Sequence, residues 1–237
     1  MTRPVVLFDL DDTVFAHRES VEAGIAAHRT TLGGALAAAD RANEFARWNA
    51  LEELHYHRYL TGELDFLQQR RERARGFLKP YGVQLDDAAA DEWFDRYLVH
   101  YESTWTLHAD TLPCLEALRP ARFGVITNGS LPFQAAKIDG VGLSPWIEHV
   151  IASGEVGIAK PDPRIFHIAC GVFEVEPAEA VYVGDRLHTD AIGAARAGLL
   201  GVWLDRPGVA TRAELAEAAA EGVPVIRSLA ELPALLG

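Results

Sequence analysis

The sequence predicts an α/β protein in which a doubly wound parallel sheet is interrupted by an inserted helical domain. Three observations lead there. Short, continuously apolar runs, the pattern of strands buried on both faces, recur at Val5 to Phe8, Phe123 to Ile126, Val150 to Ala152, Val181 to Val183 and Val202 to Leu204. From about Pro113 onward these runs alternate with helical patterns, as βα units do. Between the first two lies a long stretch with no comparable run, rich in the helix formers Ala, Leu, Glu and Arg.

Taken in chain order, Val5 to Phe8 forms the first strand. Residues 16–105 then form a helical insert with turns at Gly62 and Gly82. Within it, Phe66, Leu67, Ala74, Phe77 and Leu78 trace an apolar helical stripe, with Arg70 and Arg71 on the same side and Arg73 and Arg75 elsewhere. Residues 1–15 and 106–237 together make a discontinuous core. Pro163, well placed in a first helical turn, starts the helix that carries Ile165 and Phe166. The Ala-rich runs Ala35 to Ala39 and Ala218 to Ala220 read as helix composition and not as separate modules.

Bulk properties narrow the possibilities. A chain of 237 residues, 49% hydrophobic, can bury a substantial core. A formal charge of -12 argues against general nucleic-acid binding, which calls for a basic face. It does not exclude a phosphorylated substrate, because a cation and a few local bases can reverse the field within a cleft. Cys114 and Cys170 form no metal or redox spacing, as suits a reducing compartment. No apolar run approaches membrane-spanning length, and the N-terminus enters a strand pattern at once. A cytoplasmic location with no membrane association is expected.

The chemistry lies at the strand ends. Phe8-Asp9-Leu10-Asp11-Asp12-Thr13 places a cluster of carboxylates directly after the first strand. Packing ionised carboxylates together costs free energy unless a cation or a proton offsets the charge, and in parallel sheets these ends are where ligands bind. Three further stations follow later strands. Thr127-Asn128-Gly129-Ser130 supplies a hydroxyl and a tight turn whose amides suit phosphoryl oxygens. Lys160 lies in Gly157-Ile158-Ala159-Lys160-Pro161-Asp162-Pro163, where the prolines restrict the backbone that follows it. Gly184-Asp185 ends the run Val181-Tyr182-Val183, with Asp190 five positions on. Hard oxygen ligands of this kind suit Mg²⁺.

In this order and placement the four stations resemble the motifs of the haloacid dehalogenase-like hydrolase superfamily, with the insert corresponding to its small helical cap. The resemblance implies roles that make chemical sense. Asp9 would be the nucleophile that forms an aspartyl-phosphate. Asp11 would protonate the leaving oxygen and then activate water. Asp9 and Asp185 would hold Mg²⁺ by their carboxylates and Asp11 by its backbone carbonyl, with Asp190 in support. Thr127 and the Asn128 backbone would hold phosphoryl oxygens. Lys160 would neutralise both Asp9 and the transferring group. The true dehalogenases lack the acid two residues after the nucleophile, so Asp11 favours phosphoryl transfer. The cap would close over the strand ends to exclude water and reopen to admit it.

Structural roles compete with some of these readings. Asp9, Asp11, Thr127 and Asp190 could each serve a turn or a helix cap, and Lys160 could be a surface lysine. Arg70 or Arg71 could face an anionic substrate group, but an ion pair or a snorkelling side chain is favoured. Trp48, Trp93 and Trp105 could line a nucleobase pocket, with core packing preferred. His55 and His57, two apart, suit no helical metal clamp, and His188 reads equally as a surface residue. The expected activity is Mg²⁺-dependent hydrolysis of a small phosphorylated metabolite, a nucleoside monophosphate or a sugar phosphate. A haloacid dehalogenase, a sugar phosphomutase and a non-catalytic binding protein remain as alternatives.

Overall fold

The computed structural model describes residues 4–237. The chain forms two compact units. One runs up to His17 and resumes at Thr106; the other is Arg18–Trp105.

The helical unit contains α1 (His17–Leu32), which begins one residue before it, α2 (Gly34–Ala38), α3 (Arg41–Leu60), α4 (Phe66–Leu78) and α5 (Asp87–Glu102). Asp40, Asp65 and Asp86 begin α3, α4 and α5 by accepting the backbone amides of Asn43, Gln68 and Ala89. Gly62 and Gly82 turn the chain after α3 and α4 in the left-handed conformation that glycine takes without strain, at φ 76° and 71°.

An aromatic core holds this unit together. Trp48 is fully buried, with ring centroids at 5.2 Å from Phe77, 5.5 Å from Trp93 and 4.8 Å from Tyr97. Its Nε1–H donates to the Tyr97 hydroxyl at 3.3 Å. Trp48 and Trp93 are therefore packing residues, and the half-buried Trp105 lies edge-on to Tyr101.

The stripe expected on α4 is only partly observed. Ala74, Phe77 and Leu78 are buried, but Phe66 and Leu67 are exposed and Arg73 is buried in their place. A flat guanidinium can occupy an apolar core when its face lies on a ring and its edge is ion-paired. Arg73 meets both conditions, 4.6 Å from the Trp48 ring and 2.7 Å from Glu52. Arg71 pairs with Asp87 and Asp91, and Arg70 lies over the Phe66 and Phe94 rings. His55 is buried and His57 exposed, so the two share no face.

His28 gives this unit an acid sensitivity. It is 1% exposed, packed against Trp93, and neither ring nitrogen has a hydrogen-bond partner among the described residues. Burial, followed by the neighbouring His100 and Arg96, lowers its pKa to about 4. The unfolded chain takes up this proton near pH 6.5 and the folded one near 4, so the stability is present above the first value and lost as pH falls towards the second. The loss should be on the order of 2–3 kcal/mol. His28→Leu should flatten the fall in urea midpoint between pH 6.5 and 4. An unchanged slope would exclude His28 as its source.

The second unit carries a six-stranded parallel sheet: β1 (Val5–Phe8), β2 (Arg122–Thr127), β3 (His149–Ala152), β4 (Ala180–Gly184), β5 (Leu200–Leu204) and β6 (Val225–Ile226). The five apolar runs are its first five strands. The sixth, two residues long, was not among those runs. The helices α6 (Thr111–Ala117), α7 (Leu131–Gly140), α8 (Ser153–Val156) and α9 (Pro163–Phe173) lie between β1 and β4 in the chain. Val5 and Leu7 point to one face of the sheet and pack with Ile165, Phe166 and Phe173 of α9. Val5 to Phe8 are all fully buried, which is why the strand lacks polar alternation.

The strand order is β3-β2-β1-β4-β5-β6. Its direction reverses between β1 and β4, so connections leave their C-terminal ends towards opposite sides and open a crevice there. Phe8 pairs in register with Val125 on one side and Val183 on the other. Residues just beyond Phe8, Ile126 and Val183 consequently meet at that crevice. No helix of the described residues is long and apolar enough to cross a membrane.

Candidate active site

Asp9 is the first residue after β1, fixed by its amide donating to the Val183 carbonyl at 2.8 Å. Beyond it the chain folds back sharply. Asp12 takes the left-handed conformation (φ 59°), which Asp tolerates better than most residues, and its amide donates to Phe15. The turn brings the Thr13 hydroxyl within 3.3 Å of Asp9 Oδ2. Asp12 and Thr13 thus make the turn, and Asp9 is left for the crevice.

Lys160 reaches the same point from the loop before α9. It is 5% exposed, so the surface reading does not hold. Its Nζ donates to Asp9 Oδ1 at 2.6 Å, Asp190 Oδ1 at 2.7 Å and the Tyr182 hydroxyl at 2.6 Å. All three ammonium hydrogens have acceptors, the condition under which a buried charge is tolerated. The Tyr182 hydroxyl in turn donates to the Ile126 carbonyl at 3.0 Å. The Asn128 side chain clamps the Lys160 peptide, accepting from its N–H at 2.8 Å and donating to its carbonyl at 3.0 Å.

Asp190 lies in a π-helical stretch, Leu187–Ile192, a geometry that recurs at functional sites. Its Oδ2 accepts the Arg186 amide at 3.0 Å, so it braces the loop after β4 and also pairs with Lys160. Gly184 makes this possible: a Cβ there would overlap the Asp190 side chain and lie 2.7 Å from Oδ2. His188, in the same stretch, is exposed and faces Glu217 at 3.1 Å.

Asp9, Asp185 and Asp190 each offer a carboxylate oxygen within 4.8 Å of the others. Among the described residues Lys160 is the ammonium bonded within this group and Arg186 opposes the rise at Asp185, yet the three carboxylates remain under-compensated. Burial raises the Asp9 pKa to about 7, with Lys160 opposing and Asp190 adding to the rise. Burial and then the charges of Asp9, Asp190 and Asp12 raise that of Asp185 to about 8. A hard divalent cation is what such oxygens suit, and it would relieve both groups. Both Asp190 oxygens hold close bonds, at 2.7 Å to Lys160 and 3.0 Å to the Arg186 amide, whereas among the described residues Asp9 Oδ2 meets only the Thr13 hydroxyl at 3.3 Å. Asp9 and Asp185 are therefore the better direct ligands and Asp190 the better support.

Asp11 has different partners. Its carboxylate accepts from Lys137 Nζ at 2.7 and 3.0 Å and from Gln134 Nε2 at 3.2 Å, with His17 Nδ1 3.7 Å away. Burial pushes its pKa up, but the Lys137 and His17 charges and these bonds outweigh it and hold the pKa at about 2. Thr127 is buried at the end of β2 and accepts from Gln134 Nε2 at 2.6 Å. The N-terminal boundary of α7 is Ser130, so Thr127 is not a helix cap.

The haloacid dehalogenase-like hydrolase family model matches residues 4–198. That is most of the chain and includes every site residue named above. The chain belongs to the haloacid dehalogenase-like hydrolases. A glyceraldehyde 3-phosphate phosphatase of Pyrococcus furiosus is 30% identical over 214 residues, covering 84% of this chain and 79% of that protein. A phosphoserine phosphatase of Thermus thermophilus is 46% identical, but over 88 residues, 37% of this chain and 35% of that one. The Bacillus subtilis HAD-hydrolase YfnB, solved bound to magnesium, has the same fold at 20% identity, with a TM-score of 0.80 over the whole of both chains. This hydrolase is accordingly a phosphoric monoester hydrolase.

Gln134, Lys137, Tyr182 and His17 stand at this hydrolase's site and were not among the residues singled out from the sequence. Gln134 and Lys137 are three apart on α7, one face of a helix that starts just after Thr127, and both are buried. That spacing was the available signal. Tyr182 carries a polar atom within an otherwise apolar strand run.

Gly184→Ala should push Asp190 off Lys160 without touching Asp9 or Thr127. Misplacement on this scale costs about 10²-fold in turnover. The expected result is a loss of kcat of that order in a folded protein. Wild-type kcat would show that the close approach is dispensable.

Proposed function

We propose that this protein is a Mg²⁺-dependent phosphatase of small phosphorylated metabolites, acting through an aspartyl-phosphate on Asp9. The observation that carries the reading is the Asp9–Lys160 pair, buried where the strand order reverses, with a second acid at Asp11. Lys160 favours the ionised form of Asp9 against burial and offers positive charge to an incoming phosphoryl group. Asp9 attacks phosphorus, and the bond to the leaving oxygen breaks as that oxygen takes a proton from Asp11. Asp11 then removes a proton from water, whose oxygen attacks phosphorus, breaks the bond to Asp9 and releases phosphate. Asp11 as found is ionised, the form needed in the second step. Its first role requires it to part from Lys137 and gain a proton. Thr127 and the Asn128 backbone hold the phosphoryl oxygens; the Asn128 side chain is committed to the Lys160 peptide.

Asp9, Asp185 and the Asp11 backbone carbonyl would hold Mg²⁺, with Asp190 in support, and the ion would offset charge on the phosphoryl group. Sugar phosphates and nucleoside monophosphates are the leading substrates. A similar protein that acts on glyceraldehyde 3-phosphate supports the first class. The test is phosphate release from a panel of sugar phosphates, nucleoside monophosphates, phosphoserine and phosphoglycolate, with Mg²⁺ or with chelator. Release that requires Mg²⁺ supports the reading. Halide release from 2-haloacids in chelator would replace it with dehalogenation.

A further inference from the structure

One amide group joins the residue expected to hold phosphate to the residue expected to move protons. Gln134 Nε2 lies 2.6 Å from Thr127 Oγ1 and 3.2 Å from Asp11 Oδ2. The side chain is buried, and its Oε1 has no hydrogen-bond partner among the described residues. Gly129 lies against the same amide: a Cβ there would sit 3.1 Å from Nε2 and 3.3 Å from Cδ, so a side chain at position 129 would press on it.

Hydrogen-bond polarity then settles the direction of each proton. A carboxylate only accepts, and Lys137 holds Asp11 in that form against Gln134. The Gln134 atom facing Asp11 must therefore be the NH₂ group, since Oε1 there would set two acceptors against each other. The same NH₂ faces Thr127, whose oxygen must accept. A hydroxyl that accepts from the protein keeps its single hydrogen for another partner. Reversing the amide would give Oε1 a donor in Thr127 but turn the hydroxyl proton inward. The unpartnered Oε1 follows from this arrangement.

We propose that Gln134 is a positioning residue that, oriented by Asp11, presents the Thr127 hydroxyl to a phosphoryl oxygen as an obligatory donor. This rests on the phosphatase reading above and extends it to a residue of α7 whose effect on phosphate binding runs through Thr127. The arrangement also predicts preference. A phosphoryl oxygen accepts from the hydroxyl, whereas a ligand that presents a donor at this point meets a hydroxyl with its acceptor side already occupied.

The test is a double-mutant cycle read by calorimetric titration of inorganic phosphate, with Mg²⁺ present, into wild type, Gln134→Leu, Thr127→Val and the double variant. Gln134→Leu should bind phosphate roughly tenfold more weakly, and the double variant no more weakly than Thr127→Val alone. A residue that merely supports the fold would weaken binding equally in both backgrounds. Undiminished phosphate affinity in Gln134→Leu, or full additivity with Thr127→Val, overturns the proposal. If Gln134→Leu does not fold, Gln134→Met, unbranched and of similar length, takes its place in the cycle. Wild-type protein that binds no phosphate would remove the phosphatase reading itself, a result separable from failure of the cycle.

Discussion

Asp9→Asn should abolish phosphate release, by at least roughly 10⁴-fold in kcat, and with it any covalent labelling by a phosphorylated substrate. The argument is local. Asp9 is the carboxylate that combines a buried ammonium at 2.6 Å with a place at the reversal of strand order. Its amide nitrogen replacement cannot attack phosphorus, yet the remaining carbonyl oxygen can still accept from Lys160. Because burial raises the wild-type carboxyl to about 7, the ionised form is costly in the apoprotein, and the variant should melt no lower than wild type. Loss of turnover in a protein of equal or higher Tm would assign the effect to chemistry. Full activity in Asp9→Asn would leave the site without its nucleophile.

Legibility differed between the two units for a physical reason. A parallel strand buried on both faces must be apolar throughout, so Val5 to Phe8 could be read without neighbours, and the polar residues just after such runs mark where the strands end. The register of β1 with β2 and β4 then brings Asp9, Thr127 and Asp185 to one edge of the sheet. Periodicity says less about a helix whose core includes charge. Arg73 falls outside the apolar stripe because its burial depends on Trp48 and Glu52, 25 and 21 positions away in the chain. Lys137 is the same case at the site: nothing in α7 alone indicates that Asp11 waits for its ammonium. β6 escaped notice because two residues after Pro224 are too few to form a pattern, although Trp203 and Leu204 pair with them.

Lys160→Met should produce the second large effect, and it should damage stability and turnover together. Lys160 is the shared partner of Asp9, Asp190 and the Tyr182 hydroxyl, all buried. Removing one side of such a network leaves uncompensated charge, a loss of about 3–5 kcal/mol near neutral pH. Turnover should fall by roughly 10³-fold or more, since both the nucleophile's ionisation and the charge opposite the phosphoryl group are lost. Mg²⁺ should recover part of the stability, because a cation among Asp9, Asp185 and Asp190 offsets the same charge. A second substitution separates the two effects. Asp190→Asn removes one of the stranded carboxylates, so Lys160→Met/Asp190→Asn should be more stable than Lys160→Met while remaining inactive. Equal stability of Lys160→Met and the double variant would mean that Asp190 is not a stranded charge once Lys160 is gone. Restored turnover in the double variant would mean that Lys160 only balances Asp190 and has no part in catalysis.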